Sequence, residues 1–364
     1  MLERFGWPAN PFDGRASVKL SQGATRVQRI PLGERRAAAM NRSTLLDSLR
    51  ILAIVLVLVA HLGQLLGHAS GDFFGWKNLY YVSLGGVGVS VFLVLSGVLA
   101  GLGRPVQMGR YPQYLLKKVI RIYPVYWLSI PLAMLGYALS EGGLEGEWPE
   151  LFPNGLMVDL LGSLTGFYAW VGLWGGPYNP PTWYIALIMS LYLLAPIMLV
   201  CMQRWPHLTL VTLFGISLSA RWYVGQWGIP LQDSSTLEQV QGWLYRQYGF
   251  MPGRPGDWFP PCRLFEFGLG LYLALRLPKA FWSRLTLPAG AVVRWLSDLA
   301  FALFLVHYPF LFLVPILLDA GLPTAAAITI YLALMLLAAD LLNRLERRLP
   351  LVNNRIKSVS CPDF

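Results

Sequence analysis

The chain has 364 residues, of which 55% are hydrophobic and only 13% charged, with a formal net charge of +10. That charged share is about half of what an ordinary soluble domain carries, and the apolar residues gather into long runs, so a soluble globular fold is excluded in favour of a polytopic membrane protein. The positive charge is not a nucleic-acid footprint, because it clusters at Arg35, Arg36 and Arg42, at Arg104, Arg110, Lys117, Lys118 and Arg121, and at Arg344, Arg347, Arg348, Arg355 and Lys357, the positive-inside pattern that puts both termini in the cytoplasm.

Residues 1–43 form a basic tail rich in Gly, Pro and Arg, without the apolar core and cleavage site of a signal peptide. The expectation is a disordered tail or a start-site extension, with Met40 as the initiator. Residues 44–345 form one membrane domain, and 346–364 a basic cytoplasmic tail. Eight runs read as spanning helices: 46–67, 84–102, 119–140, 183–203, 207–224, 262–277, 298–318 and 323–345. The predicted fold class is therefore an all-α polytopic membrane bundle of about 8–10 transmembrane helices.

A further apolar segment, 156–173, is short and glycine-rich. The acidic loop 141–150 belongs outside, as do 175–183 and 225–261 when counted back from a cytoplasmic C-terminus. Segment 156–173 then enters and leaves on one face, which predicts a re-entrant half-helix buried in protein or lining a cavity. Cys201, Cys262 and Cys361 show neither metal-ligand spacing nor an even disulfide count. The polar loop 225–261 is too long for a simple connection and reads as an external cap.

The first span, LDSLRILAIVLVLVAHL (46–62), places polar residues in apolar sequence. Arg50 and His61 are separated by about 16 Å and about 20° of rotation on a helix, and Asp47 joins the same face three residues earlier. A charged cytoplasmic end thus points along one wall toward a histidine expected roughly halfway through the bilayer. Ionisable residues in a span face an interior or a water-filled cavity. Glycines and serines in GGVGVSVFLVLSGVLAG (85–101) suit close helix packing. LLKKVIRIYPVYWL (115–128) puts Lys117, Lys118 and Arg121 at the cytoplasmic start of a helix, where cations oppose the helix dipole; they serve positive-inside anchoring or dock a phosphate-bearing ligand.

Three stretches together, LDSLRILAIVLVLVAH, VGVSVFLVLSGVLAG and KKVIRIYPVYW, resemble the acyltransferase 3 family of integral membrane acyltransferases in its stand-alone form, without a fused hydrolase-like domain. NPPTWYIALIMSLYLLAPIM (179–198), RLFEFGLGLYLAL (263–275) and LSDLAFALFLVHYPF (296–310) follow in the family's order. The resemblance implies transfer of an acyl group, often acetyl, from cytosolic acyl-CoA to a carbohydrate, lipid or secondary-metabolite hydroxyl at the cell envelope. It implies His61 as catalytic histidine, Arg50 as its essential partner with Asp47 beside it, and Lys118 and Arg121, next to Lys117, in place of the family's paired arginines. Lysine in the first of those positions keeps charge but loses bidentate phosphate geometry. A glutamate that many relatives carry after Trp183 is missing from ALIMSLYLL. No permanently bound cofactor, no metal and no nucleic-acid partner are expected; acyl-CoA, the acceptor and membrane lipids are the expected partners, in a bacterial cytoplasmic membrane.

The chemistry suits the resemblance, because acyl transfer to a hydroxyl needs one base near neutrality and an oriented thioester. His61 acts as that base or is itself acylated; the sequence leaves both open. Asn179 and Trp183 are candidates for lining the acceptor side. Glu266 either meets the acceptor or pairs with Arg263. His307, before Pro309, reads chiefly as a structural hydrogen-bonding histidine. A proton-coupled transporter or flippase without covalent chemistry is the alternative.

Overall fold

The structure, a computed structural model, describes residues 43–66, 72–73, 76–77, 84–103, 111–166, 168, 176–227, 258–278, 281 and 290–349. The N-terminal tail with Met40, most of the 225–261 loop, Cys361 and the end of the basic C-terminal tail lie outside these residues. Among them are ten α-helices: α1 (Thr44–Leu65), α2 (Leu84–Gly101), α3 (Tyr111–Ser140), α4 (Leu156–Thr165), α5 (Trp183–Arg204), α6 (Pro206–Trp227), α7 (Leu264–Arg276), α8 (Ala291–Val306), α9 (Leu313–Asp319) and α10 (Thr324–Arg348). Two two-residue strands, Asp72–Phe73 and Trp76–Lys77, pair antiparallel. The expected all-α membrane bundle is what folds: α1, α2, α3, α10, and α5 with the turn before it, are long and apolar enough to cross a bilayer.

Among the described residues the expected spans 207–224, 262–277 and 298–318 are not in that group, 262–277 being a helix of only 13 residues, and two runs differ in extent. The run 298–318 is two helices, because Pro309 has no N–H for the Leu305 carbonyl four residues back, so α8 stops at Val306 and α9 restarts at Leu313. The run 119–140 starts earlier, at Tyr111, where Pro112 suits a first helical turn. Lys117, Lys118 and Arg121 therefore lie in the second and third turns of α3, not at its start, and the expected clash with the helix dipole is removed.

Glycines set the closest contacts. A Cβ on Gly97 would meet the Phe267 carbonyl at 2.1 Å, and one on Gly270 would meet the Val94 carbonyl at 2.1 Å, so α2 and α7 touch backbone to backbone. Gly88 brings α2 close to α1, where a Cβ would lie 2.5 Å from the Ala53 carbonyl. Leu93, Ile185, Leu187, Leu191, Phe267, Leu271 and Leu305 fill the centre with little or no exposure.

Helix α4 enters and returns on one face, as expected. Tyr137 at the far end of α3 bonds the Glu150 carbonyl, whereas Tyr123 and Trp127, deeper in α3, donate to the Thr165 and Leu164 carbonyls at 2.6 and 2.7 Å. Those carbonyls end a helix and have no intrahelical donor, so α3 caps α4. The Tyr178 hydroxyl then bonds the Leu151 carbonyl and closes the neck of the re-entrant loop. The expectation that this segment is buried in protein is corrected: Leu156, Met157, Leu160 and Leu161 are exposed, and only Asp159 and Ser163 are buried. Lipid suits that apolar surface, and the last carbonyls of the half-helix are answered by α3.

Candidate active site

The break at Pro309 builds the site. At the end of α8, His307 Nδ1 lies 2.8 Å from the Phe304 carbonyl, Asn179 Nδ2 donates to the Leu305 carbonyl at 2.7 Å, and the Tyr331 hydroxyl donates to the His307 carbonyl. Each takes up an acceptor that an unbroken helix would have satisfied itself. Gly136 of α3 packs directly on Pro309, where a Cβ would lie 2.5 Å from the proline carbonyl.

His61 of α1 meets this turn. Its Nδ1 is 3.0 Å from His307 Nε2, the rings lie 5.1 Å apart at 25°, and the Tyr308 ring stands edge-on to His61 at 5.2 Å. The tautomers follow by elimination. A carbonyl only accepts, so His307 Nδ1 carries the proton and His307 Nε2 is the acceptor. His61 Nδ1 must then donate, and His61 Nε2 keeps its lone pair. His307 is fully buried, while His61 is half-buried.

The starts of the same two helices are joined by Asp47. Its side chain is fully buried, and Oδ1 accepts from Arg50 Nη1 at 2.9 Å and from the Ser297 hydroxyl at 2.7 Å. Helices α1 and α8 thus run in the same direction, tied at one end by Asp47–Ser297 and at the other by His61–His307. Arg50 is paired with Asp47 three residues earlier on the same helix. His61 lies 17 residues after the start of α1 and four before its end, about 26 Å along a helix of about 33 Å.

The basic group is arranged differently from the expected cluster. Lys118 Nζ sits over the rings of Tyr192 and Tyr114, 4.3 and 5.3 Å from their centroids, while Lys117 and Arg121 are exposed. Arg121 does not share the inward face of Lys118. Glu266, in the first turn of α7, is held by Arg263 at 2.7 Å and Arg221 at 2.8 Å, and Arg263 also reaches Ser90 of α2 at 3.0 Å. The carboxylate thus pairs with Arg263 as one reading had it, and ties α2, α6 and α7 together. Trp183 packs against the buried cluster of Ala186, Trp258 and Cys262.

Of the residues singled out in the sequence, Asp47 and Arg50 meet at one end of α1, and His61, His307 and Asn179 gather at the broken turn of α8. Ser297, Tyr331 and Arg221 were not anticipated. Ser297 stands ten residues before His307, which mirrors the spacing of Arg50 and His61 closely enough to have flagged it. Tyr331 carries no such signal, being one aromatic residue in an apolar span.

These features define a polytopic helical membrane protein with a pair of histidines bridging two of its helices. The chain belongs to the acyltransferase 3 family: the family's model, described as an acyltransferase domain, matches residues 44–276. Helix α8 with His307 lies beyond the matched segment. Among curated proteins it is similar to Acyltransferase MdmB of Streptomyces mycarofaciens, 26% identical over 65% of this chain and 58% of that protein. It is also similar to the O-acetyl transferase of Shigella phage Sf6, 23% identical over 57% of this chain and 59% of that protein. The matched part spans under two thirds of the length of both relatives. No solved structure matches it.

Proposed function

We propose that the protein is a membrane acyltransferase of the bacterial cytoplasmic membrane that moves an acyl group, acetyl in the first instance, from cytosolic acyl-CoA to a hydroxyl of a carbohydrate, lipid or secondary-metabolite acceptor. The observation that carries this reading is the His61–His307 pair, whose hydrogen bonds leave His61 Nε2 as an available base. Family membership supports the reaction class, and a relative named O-acetyl transferase supports the choice of group and acceptor atom.

In the proposed step the acceptor oxygen attacks the thioester carbonyl while its proton passes to His61 Nε2. The C–S bond breaks, and the departing thiolate takes that proton back, leaving an ester and free coenzyme A. During the step the imidazolium of His61 donates through Nδ1 to His307 Nε2, which the Phe304 carbonyl holds in the accepting tautomer. Base catalysis of this kind contributes about 10²–10⁴-fold, and holding donor and acceptor together supplies the rest. Lys117 and Arg121 present cationic charge at the cytoplasmic side for the coenzyme A phosphates, with Lys118 beside them.

Purified protein in liposomes, given radiolabelled acetyl-CoA and an envelope extract from a strain lacking the gene, transfers label to the extract. Full transfer by His61→Ala would refute the role of His61. Proton-coupled flux of an unmodified solute with no coenzyme A released would replace the enzyme reading with transport.

A further inference from the structure

Asn179 precedes the turn Pro180–Thr182 that leads into α5. It is 4% exposed, and its carboxamide is used by half. Nδ2 donates to the Leu305 carbonyl at 2.7 Å, in place of the N–H that Pro309 lacks. That bond fixes the orientation of the amide, since flipping it would set two acceptors against each other. Oδ1 is thereby assigned, and among the described residues it is a buried oxygen with no hydrogen-bond partner.

A buried acceptor left without a donor is costly, and native structures rarely keep one without a reason. Capping Leu305 does not supply the reason, because a donor-only side chain would satisfy that carbonyl with no oxygen left over. The orphaned oxygen sits on the same broken turn that carries His307, two residues after Leu305, and His307 holds His61. The free half of the amide is therefore held by the same turn that holds His61 through His307.

We infer that Asn179 is a substrate-binding residue whose Oδ1 accepts a hydrogen bond from a substrate N–H or O–H close to the reacting carbon. Two groups have that chemistry. One is the amide N–H two carbons from the sulfur in the pantetheine arm of the donor; the other is a hydroxyl of the acceptor. Asn179 takes no proton and forms no bond to the acyl group. It orients one partner so that the thioester carbonyl and the attacking oxygen meet beside His61 Nε2. The inference rests on the acyl-transfer reading.

The experiment compares Asn179→Ala, which removes both halves of the amide, with Asn179→Asp, which removes the N–H but keeps an accepting oxygen. Equilibrium binding of acetyl-CoA to the purified full chain reads the donor. The apparent KM for a dilution series of envelope extract at saturating acetyl-CoA reads the acceptor. Both variants lose the Leu305 cap and unfold at lower temperature. Asn179→Ala is expected to weaken one of the two substrates about ten-fold, with the other unchanged, while Asn179→Asp keeps most of that affinity. Loss in the binding arm assigns the oxygen to the pantetheine amide, and loss in the KM arm assigns it to the acceptor hydroxyl. Unchanged affinity in both arms, or equal losses in the two variants that follow only the folded fraction, would overturn the inference. Where Asn179→Ala does not fold, Asn179→Ser, whose shorter side chain keeps a hydroxyl donor for the Leu305 carbonyl, takes its place, and acetyl-CoA binding and extract KM are read by the same criteria. Wild-type protein that binds acetyl-CoA but transfers nothing would sink the acyl-transfer reading, while the binding arm still reads Asn179.

Discussion

Helices α1 and α8 are tied together twice, and the two ties differ in chemistry. At the start of both helices Asp47 is fully buried with Arg50 and Ser297 on one oxygen, a charged group whose neighbours answer its charge. At the far end His61 and His307 share a neutral hydrogen bond, and one ring nitrogen is left over. The first tie holds the helices in register, since a buried carboxylate stripped of its partners is strongly destabilising. The second has unused valence, and unused valence is what a reaction needs. Placing both between the same helices lets the rigid tie set the position of the reactive one.

Changing each tie separately sharpens the contrast. His61→Ala should lower acyl transfer by about 10³-fold with little change in unfolding temperature, measured as label transferred per folded molecule. Asp47→Ala should do the reverse, costing about 3 kcal/mol of stability by chemical unfolding in detergent while the surviving folded protein keeps most of its rate. If that variant folds normally and fails to transfer, the lower tie takes part in the chemistry and the contrast collapses. His307→Leu should cost about 100-fold in rate, because His61 loses the acceptor that fixes its tautomer. His307→Gln should recover much of that, since its amide oxygen can accept from His61 Nδ1. The smallest effect is expected from Tyr331→Phe, about 1 kcal/mol of stability and a several-fold loss of rate, with equal rates pointing to a purely structural hydroxyl.

Much of this arrangement was legible in the sequence, for physical reasons that differ by residue. The spans followed from run length and charge placement, and Asp47 with Arg50 followed from their separation of three on one helix. The half-helix at Leu156–Thr165 was forced by bookkeeping of sides. The pairing of His61 with His307 was not legible, because 246 residues separate them and local periodicity says nothing about which helices become neighbours. The break at Pro309 was visible as a disturbance, but its consequence was not, since the donors that answer the freed carbonyls come from Asn179 and Tyr331, far away in the chain. Lys118 reads in the sequence as an anchor or a phosphate dock beside Arg121, because that spacing is visible there and the rings of Tyr192 and Tyr114 are not.

Helix α4 turns its carboxylate and hydroxyl inward and its leucines outward, held at its far end by Tyr123 and Trp127. Such a helix is inside out by the standards of water, and it is comfortable only while hydrocarbon surrounds it. It therefore acts as a gauge of the surrounding solvent. In a micelle that covers it poorly, amide hydrogen exchange across residues 156–165 should speed up before any other part of the bundle loosens, so that segment reports whether a purified sample still sits in a surrounding that its fold accepts.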